Sequence, residues 1–234
     1  MASSRGGKKM WCVPAIDAEF IDRMEGVLEV YARPLDAREP VVCIDERPVV
    51  LHDSARPSIS MAPGKIARTD YEYVRRGTAN IFCIVEPLTG RRLTHATANR
   101  TGLAFAQAVR KIARRYSRAR RIHLVLDNLN THCEKSLTDA FGPFLGRQLW
   151  RRFVVHYTPK HASWLDAAEL EASLVSRECL GSRRIGDLDT LVEEVRAWCR
   201  RTDAERRPIN WTFRVDDARR VFRYDGLKTA RSEY

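Results

Sequence analysis

The stretch His123-Leu-Val-Leu-Asp-Asn-Leu-Asn-Thr-His132 decides how the chain is read. His123 to Leu126 reads as a short buried strand that runs into Asp127 and a polar Asn/Thr turn. An acid at the carboxyl end of a central strand, with irregular backbone beyond it, is where open α/β sheets place their chemistry. Two other stretches look built to meet it. Val41-Val-Cys-Ile-Asp-Glu46 is a second apolar run that ends in acids. His156-Tyr-Thr-Pro-Lys-His-Ala-Ser-Trp-Leu-Asp-Ala-Ala-Glu169 reads as a strand end, a loop and a helix start. Together they offer Asp45, Asp127 and Glu169 to one site.

Working outward, apolar residues at Ile16, Phe20, Met24, Val27, Leu28 and Tyr31 have helical spacing, with Asp17 in the first turn. Pro34 to Pro40 is a linker, and Val41 to Asp45 a buried strand. Residues 47–78, with Pro48, Pro57, Pro63 and Gly64, read as a long loop with short strands at most. Ala79 to Glu86 and Arg91 to Thr97 flank the turn signal Pro87-Leu-Thr-Gly90, a hairpin. Leu103 to Tyr116 is an amphipathic helix. Residues 133–152 read as a short helix and a loop around Gly142-Pro143, and Phe153 to Tyr157 as a fifth strand. Ser163 reads as a helix cap with Asp166 as its capping-box partner, in a helix that stops near Gly181. Leu188 to Cys199 carries a last helical stripe, and Trp211 and Phe213 are expected to pack an Arg-rich tail onto the domain. This order fits an α/β fold, a mixed five-stranded sheet flanked by helices. Its expected division is a basic leader and linker helix over 1–40, a catalytic domain over 41–201 and the tail over 202–234.

The 234 residues carry 41 Lys and Arg against 30 Asp and Glu, a net charge of +11. Such a bias points to a polyanionic partner, nucleic acid first. From Arg110 to Arg121 there are seven basic residues and no acid: Arg110, Lys111, Arg114, Arg115, Arg118, Arg120 and Arg121. That run reads equally as a solvated face or as a phosphate-contacting ridge, which Lys160 would join. The six cysteines contain no CxxC pair and read as free thiols in a reducing compartment. No apolar run nears the roughly 18 residues of a membrane span, and the basic start lacks the apolar core of a secretory signal.

Three carboxylates held together repel one another, and divalent metal removes that penalty. Mg²⁺ takes oxygen ligands and keeps several waters. Two such ions roughly 3.5–4 Å apart can activate an attacking oxygen and stabilise a leaving one in phosphodiester chemistry. Read singly, Asp45 is more ordinarily a surface acid at a strand end, Asp127 also reads as a turn-initiating residue, and Glu169 reads as a solvated helix acid about as readily as a ligand. Asp166 lies near the Glu169 face, and Glu46 points away from Asp45. His123, His132, His156 and His161 lack zinc-ligand spacing. No Gly-rich phosphate loop follows a strand, so a nucleotide cofactor has no support, and no nucleophile elbow surrounds Ser163.

Four ordered blocks carry more than spacing does: VVCIDERP at 41–48, YEYVRRGTANIFCIVEPLTGRR at 71–92, LVLDNLNTH at 124–132 and HYTPKHASWLDAAELEASLVSR at 156–177. In them the chain resembles bacterial transposases of the insertion-sequence-630 family, relatives of the mariner elements, over about residues 11–225. The resemblance implies a ribonuclease H-like fold and a DDE triad of Asp45, Asp127 and Glu169 as catalytic acids and metal ligands. Two Mg²⁺ or Mn²⁺ ions would serve DNA strand cleavage and strand transfer at a TA target. It further implies double-stranded DNA as partner, a homodimer in a synaptic complex, and a cytoplasmic, nucleoid-associated place in a bacterium. Asp166 stands where the family has Asn, and Ala162 where Gly is frequent. The 41 residues between Asp127 and Glu169 exceed the tightest mariner-like spacing, with 133–152 expected to absorb the excess. Such transposases usually begin with helix-turn-helix domains. This chain opens near the linker helix, as a truncated element, the second product of a split frame or a catalytic fragment would. The alternatives are a remnant that binds DNA without cutting it, and a resolvase or ribonuclease on the same fold.

Overall fold

A computed structural model describes residues 16–224, apart from 58, 67 and 69. The basic leader, Cys12 and residues 225–234 lie outside the described residues. The sheet has the order β3-β2-β1-β4-β5, with β1 (Val41–Ser54), β2 (Tyr73–Glu86), β3 (Arg91–Thr97), β4 (Ile122–Leu126) and β5 (Phe153–Tyr157). β1 pairs antiparallel with β2 and β2 with β3, whereas β1–β4 and β4–β5 are parallel. This is the expected mixed five-stranded sheet.

The alternation along the strands assigns the two faces. Val42, Ile44, Phe82, Ile84, Leu124 and Leu126 turn toward α2 (Gly102–Arg115) and α3 (Glu134–Phe141). Val41, Cys43, Val85 and Val125 turn to the other face, onto α1 (Ala18–Tyr31) and the segment that enters α5 (Ala168–Leu174). Further along that face, Ile81 and Cys83 pack under α5 and α6 (Leu188–Glu205). Asp17 caps α1 rather than joining its first turn, its Oδ1 accepting from the Phe20 N–H at 2.8 Å.

Several expectations change. The long loop expected over 47–78 is strand at its two ends, where β1 and β2 stay paired from Arg47↔Ile81 to Ser54↔Tyr73, and loop only over 55–72. Pro48 is tolerated inside β1 because β4 pairs with β1 only from Val41 to Cys43, leaving an open edge beyond it. A register shift at Leu51/His52 lies across from Gly77, whose φ of 120° accommodates it. The helix-and-loop reading of 133–152 becomes two helices, α3 and α4 (Pro143–Trp150). Gly142, at φ 83°, breaks them apart, and Pro143 starts α4 where no N–H is needed. Ser163 does not cap α5: Ser163–Leu165 forms a separate 3₁₀ turn. α5 continues as a π-helical stretch, Val175–Leu180, and ends at Gly181, as expected. α6 runs unbroken to Glu205, past the expected start of the tail, and the tail itself contains α7 (Val215–Phe222). Trp211 and Phe213 pack against the α1 cluster. Cys43, Cys83, Cys133, Cys179 and Cys199 are free thiols. Among the described residues no helix is long and apolar enough to cross a membrane.

One buried ion pair ties the layers. Arg92 of β3 donates from Nε to both carboxylate oxygens of Glu171 of α5, at 2.9 and 3.0 Å, and from Nη1 to the Gly90 carbonyl at 2.7 Å. Both side chains are essentially solvent-free, at 2% and 0% exposure. Removing one partner strands the other charge in the core. Glu171→Ala is therefore expected to lose about 3–5 kcal/mol of unfolding free energy in urea titrations, while the double replacement Arg92→Met/Glu171→Leu recovers most of it.

Candidate active site

The parallel register places the first two acids. Cys43 pairs with Val125, and Asp45 and Asp127 each lie two residues further along their strands. They therefore stand side by side where β4 ends, Asp45 inside β1 and Asp127 one residue past β4, with the strands about 4.8 Å apart. Glu169 is the second residue of α5, in its first turn. Asp45 and Glu169 line one open cavity of about 380 Å³, together with Glu46, Arg47, Ser173 and Arg177.

The linker helix holds the third acid's approach. The Tyr31 hydroxyl donates to the Leu165 carbonyl at 2.8 Å and accepts from the Ala167 N–H at 3.1 Å. The same oxygen lies 3.4 Å from the Cys43 Sγ. One side chain thus links α1, β1 and the turn into α5.

Charge at the site is unbalanced toward acid. Burial, then the nearby carboxylates of Glu169, Asp127 and Glu46, push the Asp45 pKa up to about 6, against a hydrogen bond from the Glu46 N–H. Asp166 sits behind it, 2% exposed. Burial first and Asp45 next raise its pKa well above the usual carboxylate range. The capping-box assignment for Asp166 does not hold; instead its Oδ1 accepts from the Ala168 N–H at 2.8 Å, at the start of α5. Its Oδ2 is buried with no hydrogen-bond partner.

His132, which the sequence offers only as a candidate zinc ligand, belongs to the site. Its Nδ1 lies 2.6 Å from Asp127 Oδ1 and its Nε2 3.3 Å from Glu46 Oε1, with the ring stacked on Phe105 at 4.4 Å. Burial alone would depress its pKa, but bonds to Asp127 and Glu46 prevail and hold it at about 9. The imidazolium neutralises one acid of the site and the back-facing Glu46. Arg100 adds a contact at 3.6 Å to Glu46. The signal was the short Asp127-to-His132 turn, which returns the ring onto the acid that opens it. Elsewhere His123 Nδ1 and His156 Nε2 meet at 3.0 Å, far from a ligand set of three.

The basic run does not form one ridge. Arg110 lies over the Phe141 ring at 4.7 Å, toward α3 and α4. Lys111 and Arg115 turn toward α6, with Arg115 2.7 Å from Asp203. Arg114 and Arg118 are exposed, Arg120 pairs with Glu39, and the Arg121 N–H bonds the Arg38 carbonyl. Helical periodicity, about 100° per residue, spreads consecutive cations around α2. Lys160 is exposed in the loop after β5.

Among the described residues no three His, Cys, Asp or Glu side chains close on one point as a preformed metal cage. The donor set still fits a hard divalent cation. It is all carboxylate, opens onto a cavity, and holds Asp45 above its ordinary pKa by burial first and the neighbouring acids next. Mg²⁺ needs only one or two protein carboxylates and completes its shell with water.

The DDE superfamily endonuclease family matches residues 40–192. Among solved structures, the chain is similar to the Mos1 mariner paired end complex with Mn at 15% identity and a TM-score of 0.53, over 86% of this chain and 62% of that one. Against the Mos1 Strand Transfer Complex the values are 14% and 0.52, over 82% and 57%. Against the Mos1 transposase catalytic domain with Raltegravir and Mn they are 11% and 0.53, over 82% and 85%. This likeness is one of fold, the ribonuclease H-like sheet flanked by helices. The chain spans about three fifths of the length of the chains in the two complexes. A search of curated proteins finds no match.

The raised Asp166 pKa gives a stability test. Its folded value lies above the ordinary 3.8, so the proton it holds stabilises the fold in acid, and that contribution is lost as pH rises toward the folded value. Asp166→Asn carries no such loss. Its melting temperature relative to the parent should rise between about pH 5 and about pH 8 in EDTA. A difference that stays constant across that range would show that Asp166 is ionised throughout.

Proposed function

This chain belongs to the DDE superfamily of endonucleases, and from that premise we propose that it is a transposase catalytic unit that cuts and joins DNA strands with Asp45, Asp127 and Glu169. The unit begins at β1 and takes in the whole of α6. The observation that carries this reading is the equivalence of Asp45 and Asp127 on adjacent parallel strands, with Glu169 on the cavity that Asp45 lines. Structures of similar fold support the metal and the substrate: Mos1 chains are described with Mn or Mg, with a transposon end, and in a strand transfer complex.

Asp45, Asp127 and Glu169 would hold two Mg²⁺ or Mn²⁺ ions. When bound, such ions supply activation of the attacking oxygen and stabilisation of the leaving one. The chain's own residues do the rest. His132 sets its charge 2.6 Å from Asp127 Oδ1, while leaving the Asp45–Glu169 side open to ligands. Tyr31 fixes the entry of α5 and hence the Glu169 backbone. Arg47 and Arg177, on the cavity wall, are placed to bind a phosphodiester. The partners are double-stranded DNA, both transposon end and target, and a second copy of the chain. Insertion-sequence-630 membership, a bacterial source and a nucleoid location remain part of this proposal.

Supercoiled plasmid incubated with the chain and Mg²⁺ or Mn²⁺ should be nicked, and EDTA should stop it. Asp127→Asn and Glu169→Gln should each lower the rate at least about a hundredfold, the scale of losing one preorganised electrostatic contact. Nicking that survives both replacements would refute the triad. Salt-sensitive DNA binding without nicking, the same in parent and variants, would assign the chain to the non-cutting class.

A further inference from the structure

A second cavity, of about 330 Å³, lies at the β3 edge of the sheet between α2 and α6. Its floor crosses Thr94, which pairs with Cys83, which pairs in turn with Asp45. The cleft is thus two strands, about 10 Å, from the acid site and shares no residue with it.

Two rows of cations face each other across this edge. Lys111 and Arg115 stand four residues apart on α2, and Arg196 and Arg200 four residues apart on α6. Like charges at that spacing destabilise a helix. Asp203 is the sole carboxylate on the lining and is already engaged. It lies 2.7 Å from Arg115, and its Oδ1 accepts from the Arg92 N–H at 2.8 Å. Among the described residues Arg196 and Arg200 have neither ion pair nor hydrogen bond. Lys111 Nζ has only a ring nitrogen for company, donating to His95 Nδ1 at 2.7 Å. Burial and then Arg196 lower the Lys111 pKa, the mark of a cation crowded by cations.

We propose that this cleft binds a phosphate-bearing anion of two or more charges, gripped between the Lys111/Arg115 row and the Arg196/Arg200 row. Its volume suits a compact ligand, and arginine matches phosphate oxygens in bidentate fashion. The phosphates come either from a free polyphosphate or from consecutive phosphodiesters of a DNA strand. The site uses none of the acids, so it stands or falls apart from strand cleavage.

The test uses the full chain in EDTA at fixed ionic strength, titrated with pyrophosphate in a calorimeter beside Arg196→Gln/Arg200→Gln. Both arginines are exposed and unpartnered, so the variant should melt with the parent; Lys111→Gln is the second variant. Pyrophosphate should saturate the parent and bind the double variant about tenfold more weakly or worse. The second arm measures affinity for a short duplex against salt. If DNA is the source, the variant's log–log slope drops by about 2, one unit per lost phosphate contact. If a free anion is the source, the duplex slope is unchanged while the pyrophosphate loss persists. Equal pyrophosphate binding in parent and variants, or none in any, together with an unchanged duplex slope, overturns the proposal.

Discussion

The pairing of Cys43 with Val125 is the constraint on which the site depends. Parallel strands in register send equivalent residues out on the same side at the same height. Two residues beyond that pair, both strands carry an aspartate. The same three-residue contact, Val41 to Cys43, is all that β4 makes with β1. Beyond it, β1 is free to continue with β2 as a long ribbon, which is why the strand that delivers Asp45 also tolerates Pro48.

Bringing acids together has a price in electrostatics, and the chain meets it in two ways. Asp166 is shifted toward its neutral form by burial and by Asp45. Asp127 is paired with a histidine held cationic by the very acids it touches. Asp45 has no such partner, and its pKa is raised to about 6 on an open cavity. An uncompensated carboxylate is a cost to the isolated fold and a reason to bind a cation, which is how sites of this kind trade stability for function.

Positive charge is distributed by a different logic. Part of the excess is spent on structure, as in the buried Arg92, the Arg110–Phe141 stack and the Arg120–Glu39 pair. Two of the cations that stay unpaired, Arg196 and Arg200, lie at the β3 edge, which α6 covers. There Asp203 takes up the Arg92 N–H, so the edge is closed to another strand while the cleft beside it stays open to an anion.

Much of this was legible in the residues alone. Five apolar runs of strand length, their turn signals and the helical stripes determined the element order, because burial imposes a period of two on strands and 3.6 on helices wherever the chain meets the core. The three acids could be named because strand ends and helix starts are where such chemistry sits. Other features needed the tertiary structure, since each depends on contacts between residues far apart in sequence. Residues 47–54 look like loop until β2 is laid beside them. Ser163 and Asp166 make a capping box by spacing, yet the Tyr31 hydroxyl and the buried position of Asp166 put the helix start later. His132 became a partner of Asp127 only once Phe105 and Glu46 had fixed its ring. The basic run, one block in the sequence, was divided among three surfaces because a helix turns each successive side chain to a new neighbour.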